Sequence, residues 1–192
     1  MFIVAGIRRE TIREINEMEY TFVLKYQLGE DDRDADALVE RLGAGGCDDA
    51  LVGTGRPGRL ALEFTREAPN AAEAIHSALE DVARIIPSAK LIEASPDLVG
   101  MTDVAEIVGV SRQNMRKLML AHPDSFPAPV HDGSVSIWHL ADVLAWLQMR
   151  GSYVLSANVL DVARAALQVN IARDMNRLPN GKAAPLPEGT PA

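Results

Sequence analysis

One short segment of the chain concentrates side chains that can hydrogen-bond to nucleic acid. Within residues 111–121 the cationic and amide side chains are Arg112, Gln113, Asn114, Arg116 and Lys117. The same segment contains no aspartate or glutamate. Arginine matches the edge of guanine, asparagine and glutamine match the edge of adenine, and lysine mainly anchors phosphate. These residue types could read duplex DNA if a single element presents them together.

The spacing predicts that a helix following a tight turn presents these side chains. Thr102 is the expected N-cap of a first helix, which Gly109 ends, and Ser111 is the expected N-cap of a second helix. Apolar residues recur at helical spacing in the second helix and are expected to face inward, leaving the polar residues outside. These inward residues are Met115, Leu118 and Met119.

A hairpin and another helix are predicted after this pair of helices. The sequence Asp132-Gly133 lies between Val130 and Val135 and is typical of a tight turn between two strands. The following segment, WHLADVLAWLQMRG, predicts a helix. Its inward residues are Leu140, Val143, Leu144 and Leu147. We expect Trp138 and Trp146 to belong to the core rather than to form a stacking surface.

Residues 98–151 resemble the winged helix-turn-helix domain of MerR-type and AlpA-type regulators, the excisionase-like group. The resemblance depends on a small residue at Ala105, a turn glycine at Gly109 and an apolar anchor at Met115, followed by the hairpin. It implies that the second helix enters the major groove and that the wing lies on the DNA backbone. The DNA-binding residues expected on this basis are Ser111, Arg112, Gln113, Asn114, Arg116, Lys117, His131 and Ser134.

The region 19–96 predicts a different kind of domain, so that the whole chain is expected to be α+β. Alternation over 20–28 indicates a strand, and apolar spacing over 35–42 indicates a helix. The glycine-rich loop GTGRPG predicts a hairpin rather than a phosphate cradle, because no helix follows it. Asn70 is the expected N-cap of a second helix, and 90–94 is the last strand. This βαββαβ order predicts a ferredoxin-like domain with one open sheet face.

Charge indicates what the ferredoxin-like domain could contact. The chain has a net charge of −8, and residues 19–96, with 8 basic and 15 acidic residues, contribute −7 of it. We expect this acidic domain to contact proteins. A basic protein that binds the acidic run at 29–36 is one expected partner. The main hypothesis is therefore a transcriptional regulator. The alternatives are an antitoxin-like inhibitor that neutralises a basic protein and regulates its own operon, and a regulator that senses a small ligand.

Other residues argue against catalysis, cofactors and membranes. Cys47 is the only cysteine, so it cannot form an internal disulfide, and a reducing, cytoplasmic setting is expected. It has no histidine nearby in the sequence and is expected to be a structural thiol. The four histidines lack the spacing of metal ligands. No segment has the length and apolarity of a membrane span, and no secretory leader is expected.

The remaining segments bear on assembly. Residues 1–18 are predicted to form an N-terminal arm, and 178–192 a disordered tail rich in proline and glycine. Residues 152–177 are apolar on more than one face, so this predicted helix must pack against its own domain or a second chain. We favour the second chain, because one short helix makes few DNA contacts and a homodimer would double them.

Overall fold

The protein has a mixed α+β architecture. The structure is a computed structural model, and the residues that it describes are 18–32, 34–151, 153, 155–156 and 158–178. These residues form seven strands in two antiparallel sheets and six helices. Apart from Met18 and Leu178, the predicted arm and the predicted tail lie outside the described residues. Among the described helices, none is both long and apolar enough to cross a bilayer.

The first half of the chain forms a four-stranded sheet with two helices. Its elements are β1 (Met18–Gln27), α1 (Ala35–Ala44), β2 (Ala50–Gly53), β3 (Arg59–Ala68), α2 (Ala71–Ile85) and β4 (Lys90–Ser95). The strands lie in the order β2-β3-β1-β4, and every neighbouring pair is antiparallel. Along the chain these elements therefore follow one another as strand, helix, strand, strand, helix and strand.

Alternating side chains of β1 and β3 build the core of this half. Phe22 and Leu24 lie opposite Phe64 and Leu62, and none of the four is more than 1% exposed. The rings of Phe22 and Phe64 stack with their centroids 5.3 Å apart. Because successive side chains of a strand point to opposite faces, the other face carries polar residues. Its exposed members include Thr21, Lys25, Glu63 and Thr65.

Side-chain caps fix where α1 and α2 begin. Asn70 accepts a hydrogen bond from the backbone N–H of Glu73 at 2.9 Å and donates one to the Glu73 carboxylate at 2.7 Å. The predicted N-cap at Asn70 is therefore confirmed. Asp34 caps α1 by accepting from the backbone N–H groups of Asp36 and Ala37. Part of the acidic run consequently has a structural role.

The second half contains a small sheet and four helices. Its elements are β5 (Leu98–Val99), α3 (Met101–Val108), α4 (Arg112–Ala121), β6 (His131–Asp132), β7 (Ser136–His139), α5 (Leu140–Arg150) and α6 (Val159–Asn176). The strands lie in the order β5-β7-β6. The predicted N-cap at Thr102 is wrong, because Gly100 occupies that position. The Asp103 carboxylate accepts the Gly100 backbone N–H at 2.7 Å, and the helix begins at Met101.

Helix α6 packs within its own chain. Val162 and Ala166 belong to the core of the first half, whereas Leu160 and Ala163 belong to the core of the second. The prediction that this helix packs against a second chain is therefore wrong for these buried residues. A helix that lies between two cores needs apolar side chains on more than one face, and this is the pattern that the sequence shows.

Candidate nucleic-acid interface

The turn between α3 and α4 has the structure that the sequence predicts. Gly109 ends α3 with a φ of +74°, a left-handed conformation that glycine adopts more easily than other residues. Ser111 caps α4, since its hydroxyl accepts a hydrogen bond from the Asn114 backbone N–H at 3.2 Å. The end of the first helix and the start of the second are thus both fixed locally.

The inward side of α4 is anchored by one fully buried residue. Met115 is 0% exposed and shares a core with Val104 and Ala105 of α3, each 1% exposed. The small side chain of Ala105 allows the two helices to approach closely. Leu118 and Met119 are partly buried against the same core. The predicted inward stripe of α4 is therefore confirmed.

The opposite side of α4 is open to solvent. Its exposed residues are Arg112, Gln113, Asn114, Arg116 and Lys117. In the part of the chain that the structure describes, Arg112, Arg116 and Lys117 form no ion pair. By contrast, Arg41 and Arg66 of the first half are held by aspartates. The cations of α4 are therefore available to an external anion.

A groove separates α4 from the hairpin of β6 and β7. Its volume is about 520 Å³, and it is lined by Arg112 and Arg116 on one side and by Ser134 on the other. Thr102 lies at the end of the groove where α3 begins. The fold therefore brings Ser134 to the same groove as two arginines from which it is distant in the sequence. Cationic and hydroxyl donors facing one groove suit the binding of phosphate oxygens.

Two carboxylates near this groove are already engaged. Asp103 accepts the Gly100 N–H, as described above, and Asp132 accepts a hydrogen bond from the Ser136 hydroxyl at 2.9 Å. Several residues that line the groove are not among the predicted DNA contacts, and they include Thr102, Asp103, Val135 and Ser136. Their proximity to Ser134 in the predicted wing, or to the start of α3, is the only sequence signal that could have identified them.

His131 lies apart from the groove lining. It is exposed in β6 and is absent from the residues that line the groove. A Cβ atom placed on Gly133 would lie 2.6 Å from Nε2 of His131, so the imidazole ring folds over the hairpin turn. The structure thus brings Ser134 to the arginines but leaves His131 at the side of the wing.

Aromatic rings hold the base of the hairpin against the domain. Trp138 and Trp146 are 5% and 6% exposed, which confirms their predicted place in the core. The Phe126 ring contacts both at centroid distances of 6.1 and 5.1 Å. Trp138 also donates a hydrogen bond from Nε1 to the Pro127 carbonyl at 3.1 Å. The base of the wing is therefore fixed, whereas the loop at Ser134 is exposed.

Cys47 has the environment of a structural thiol. It is 2% exposed, and burial, assisted by the negative charge of Asp81, raises the pKa of its thiol to about 11. Such a thiol is protonated at neutral pH and is a poor nucleophile. Among the described residues, no group of three or more histidine, cysteine, aspartate or glutamate side chains is arranged to hold a metal ion.

Comparison with known proteins returned no family model, no curated protein and no solved structure that matches the chain. Any functional interpretation therefore depends on the geometry and charge of the site itself. On the exposed face of α4, amide side chains occur together with cations that form no ion pair within the described residues.

Proposed function

We propose that this chain is a sequence-specific DNA-binding regulator of transcription, with α4 as the helix that enters the major groove. The observation that carries the proposal is the exposed face of α4, on which Arg112 and Arg116 have no carboxylate partner within the described residues. A bidentate contact from an unpaired guanidinium to guanine contributes about 1–3 kcal/mol of discrimination between bases. Gln113 and Asn114 supply the complementary chemistry for adenine.

The arrangement of elements supports one interpretation for each half. The succession of α3, a tight turn, α4, a hairpin and α5 supports a winged helix-turn-helix domain over 97–151. The strand order β2-β3-β1-β4 supports a ferredoxin-like domain over 19–96. In this proposal the winged domain binds DNA in the cytoplasm and the other domain contacts proteins. The proposal includes no catalysed reaction and no cofactor.

The groove beside α4 suggests where the DNA backbone would lie. We assign it to phosphate, because Arg112 and Arg116 supply positive charge there and Ser134 supplies a hydroxyl donor. Lys117 on the exposed face would add a further phosphate contact. A ten-residue helix such as α4 makes few contacts, so useful affinity requires two copies on half-sites about 34 Å apart.

A fluorescence-anisotropy titration tests the proposal, using duplex DNA from upstream of the protein's own gene and an unrelated duplex. Arg112→Ala and Arg116→Ala should each weaken specific binding about tenfold or more, because each removes a base or phosphate contact. Arg56→Ala, which removes the same charge from the exposed loop between β2 and β3, and Asp36→Asn in the acidic run should leave binding unchanged.

Salt dependence adds a second criterion to the titration. Affinity should fall steeply between two salt concentrations, and loss of one phosphate contact should reduce the slope by about 1. Equal losses from Arg56→Ala and Arg112→Ala would contradict the proposal. So would equal wild-type affinity for the two duplexes.

A second candidate function is an antitoxin-like inhibitor of a basic protein. It is favoured by the open face of the first sheet, where Glu63 and Glu67 are exposed and form no ion pair within the described residues. A small basic protein encoded by the adjacent gene, neutralised equally well by wild type and Arg112→Ala, would support it. Neutralisation that depends on Arg112 would contradict it.

A further inference from the structure

The two edges of the first sheet differ in how their backbone groups are satisfied. At the edge formed by β4, the side chain of Asn170 takes the place of a neighbouring strand, because it bonds both the N–H and the C=O of Ala94 at 2.8 Å. β2 forms the other edge and is paired with β3 on its inner side. The outer side of β2, called the β2 edge below, is therefore the side at which another strand can join the sheet.

Three backbone groups at the β2 edge have no partner within the described part of the chain. The Thr65 N–H bonds the Asp49 carbonyl at 3.1 Å. Because hydrogen-bonded pairs alternate along an antiparallel ladder, Leu51 bonds to β3, whereas Ala50 and Val52 direct their N–H and C=O groups outward. The Ala50 N–H is bonded to the preceding turn at 3.2 Å. The Ala50 C=O and both groups of Val52 remain for a partner strand.

The side chains beside the β2 edge suit a lysine or an arginine. Leu51 is 72% exposed on the open face of the sheet, and Glu63 lies opposite it in β3. Glu63 and Asp48 are exposed and form no ion pair with any described residue. The aliphatic stem of a lysine or arginine on an added strand would cover Leu51, while its cationic group would reach toward Glu63, about 10 Å away across two strand spacings.

We infer that the β2 edge binds an extended, basic segment of a partner protein, which joins the sheet as a fifth strand. Main-chain hydrogen bonds to the three free groups hold such a segment, and its alternate side chains are selected for positive charge. A second copy of this chain is a poorer occupant. Residues 19–96 carry 8 basic and 15 acidic residues, so two such domains repel each other and attract a basic chain.

The inference rests on the proposed function for one point only, which is that the first half contacts proteins. The β2 edge and the exposed face of α4 belong to different halves and share no residue. Binding at the β2 edge can therefore be measured without DNA, and either proposal can fail while the other stands.

Fluorescence anisotropy of a labelled synthetic peptide, titrated with the full chain in the absence of DNA, tests the inference. The probe is a peptide of about ten residues in which lysine and threonine alternate, with both ends blocked. Its counterpart has glutamate in place of every lysine. The lysine peptide should bind at least about tenfold more tightly than the glutamate peptide, because only the former complements the charge beside β2.

Methylation of the peptide backbone distinguishes strand addition from simple attraction between charges. Alternate N–H groups of an added strand point toward β2, and the others point away from it. Of two peptides that are N-methylated at every lysine or at every threonine, only one should therefore lose binding, although both have the same charge. Equal affinity of the two methylated peptides would contradict strand addition.

Two variants of the chain test the β2 edge directly. Val52→Pro removes the outward N–H, and proline is tolerated in an edge strand where that N–H faces solvent. Glu63→Lys reverses the charge beside Leu51. Each should weaken binding of the lysine peptide at least about tenfold.

Glu67→Lys is the matched control for Glu63→Lys. It makes the same change on the same strand and face, about 13 Å away and beyond the screening length of about 8 Å at physiological salt. It should weaken binding less than about threefold. Circular dichroism should show that all three variants are folded. If Val52→Pro is not, Glu63→Lys and the methylated peptides decide the outcome.

Three results would overturn the inference. These are a lysine peptide that the wild type does not bind at up to about 1 mM, binding that Glu63→Lys leaves intact, and a Glu67→Lys variant that is impaired as much as Glu63→Lys. Dimers of the wild type that bind no peptide and that Val52→Pro dissociates would assign the β2 edge to a second copy instead. A wild type that binds the peptide but no DNA would contradict the proposed function and leave the inference supported.

Discussion

Asn170 donates a hydrogen bond from Nδ2 to Oδ2 of Asp97 at 2.7 Å, between the two halves of the protein. Both residues are buried, at 5% and 1% exposure. Asn170 also bonds the backbone N–H and C=O of Ala94 in β4, each at 2.8 Å, and Asp97 bonds Nδ1 of His139 at 2.7 Å. A single buried network therefore connects the edge of the first sheet, α6 and the end of β7.

Removing the centre of this network should destabilise the fold strongly. Asn170→Ala leaves the Ala94 backbone groups and one Asp97 oxygen without their partner, so we expect a loss of about 3–5 kcal/mol in the free energy of unfolding. Urea unfolding followed by circular dichroism measures this loss. The control is Asn176→Ala, which changes the same residue type at an exposed position of α6 and should cost less than about 0.5 kcal/mol. Similar losses from the two variants would refute the role of the network.

The elements of this protein could be predicted from local patterns. The alternation that includes Phe22 and Leu24 depends only on neighbours in the sequence, and the caps at Asn70 and Ser111 bind backbone groups three residues away. The solvent-facing side of α4 followed from the same kind of reasoning, because Met115 fixes which side faces inward. Local periodicity was therefore sufficient for the strands of the first sheet, for α4 and for α5.

Features that depend on distant partners could not be predicted. The partners of Asn170 lie 73 and 76 positions away, so nothing near it in the sequence marks it as a buried connector. β5 contains only Leu98 and Val99, too few residues for a recognisable period, and exists because β7 pairs with it. The place of α6 between two cores required the whole fold. The position of Thr102 in the lining of the groove beside α4 likewise depends on the whole fold and could not be predicted from its neighbours in the sequence.

The hydrogen bond from Ser88 to Asp32 should make stability depend on pH. The Ser88 hydroxyl, together with the Arg41 guanidinium, lowers the pKa of the Asp32 carboxyl. The unfolded chain then binds more protons than the native one, so this contribution is present above a pH of about 3.9 and is lost as the pH falls through the lower native value. Ser88→Ala should therefore be less stable than the wild type at neutral pH, and the difference should shrink in acid.

Urea unfolding at neutral pH and at about pH 2.5 measures the change in this difference. The same comparison in an Asp32→Asn background is the control, because asparagine does not titrate. There, Ser88→Ala should have the same effect at both pH values. If Ser88→Ala destabilises the protein that retains Asp32 as much in acid as at neutral pH, a role for the Asp32 carboxylate is contradicted.

The Cys47 thiol should be protected as long as the protein is folded. Burial and a pKa raised to about 11 both reduce the reactive thiolate. We expect 5,5′-dithiobis(2-nitrobenzoate) to label Cys47 at neutral pH at least about a hundred times more slowly in the native protein than in guanidinium chloride. In Ser134→Cys, the exposed thiol of the wing should react at once with one equivalent, while Cys47 remains protected. Rapid native labelling of Cys47 would show that its environment is open.

The turn before α4 should tolerate a methyl group poorly. Gly109→Ala places a side chain at a φ of +74°, so we expect a loss of about 1–2 kcal/mol in the free energy of unfolding. Gly43→Ala is the matched control, because Gly43 lies within α1 and a Cβ there meets nothing within 4 Å. Alanine favours a helix, so this control should stabilise the protein by about 0.5–1 kcal/mol. Urea unfolding measures whether each variant raises or lowers the free energy of unfolding. A gain in stability from Gly109→Ala would show that the turn does not need glycine.

Because the turn orients α4, Gly109→Ala should also weaken duplex binding in the anisotropy titration, whereas Gly43→Ala should not.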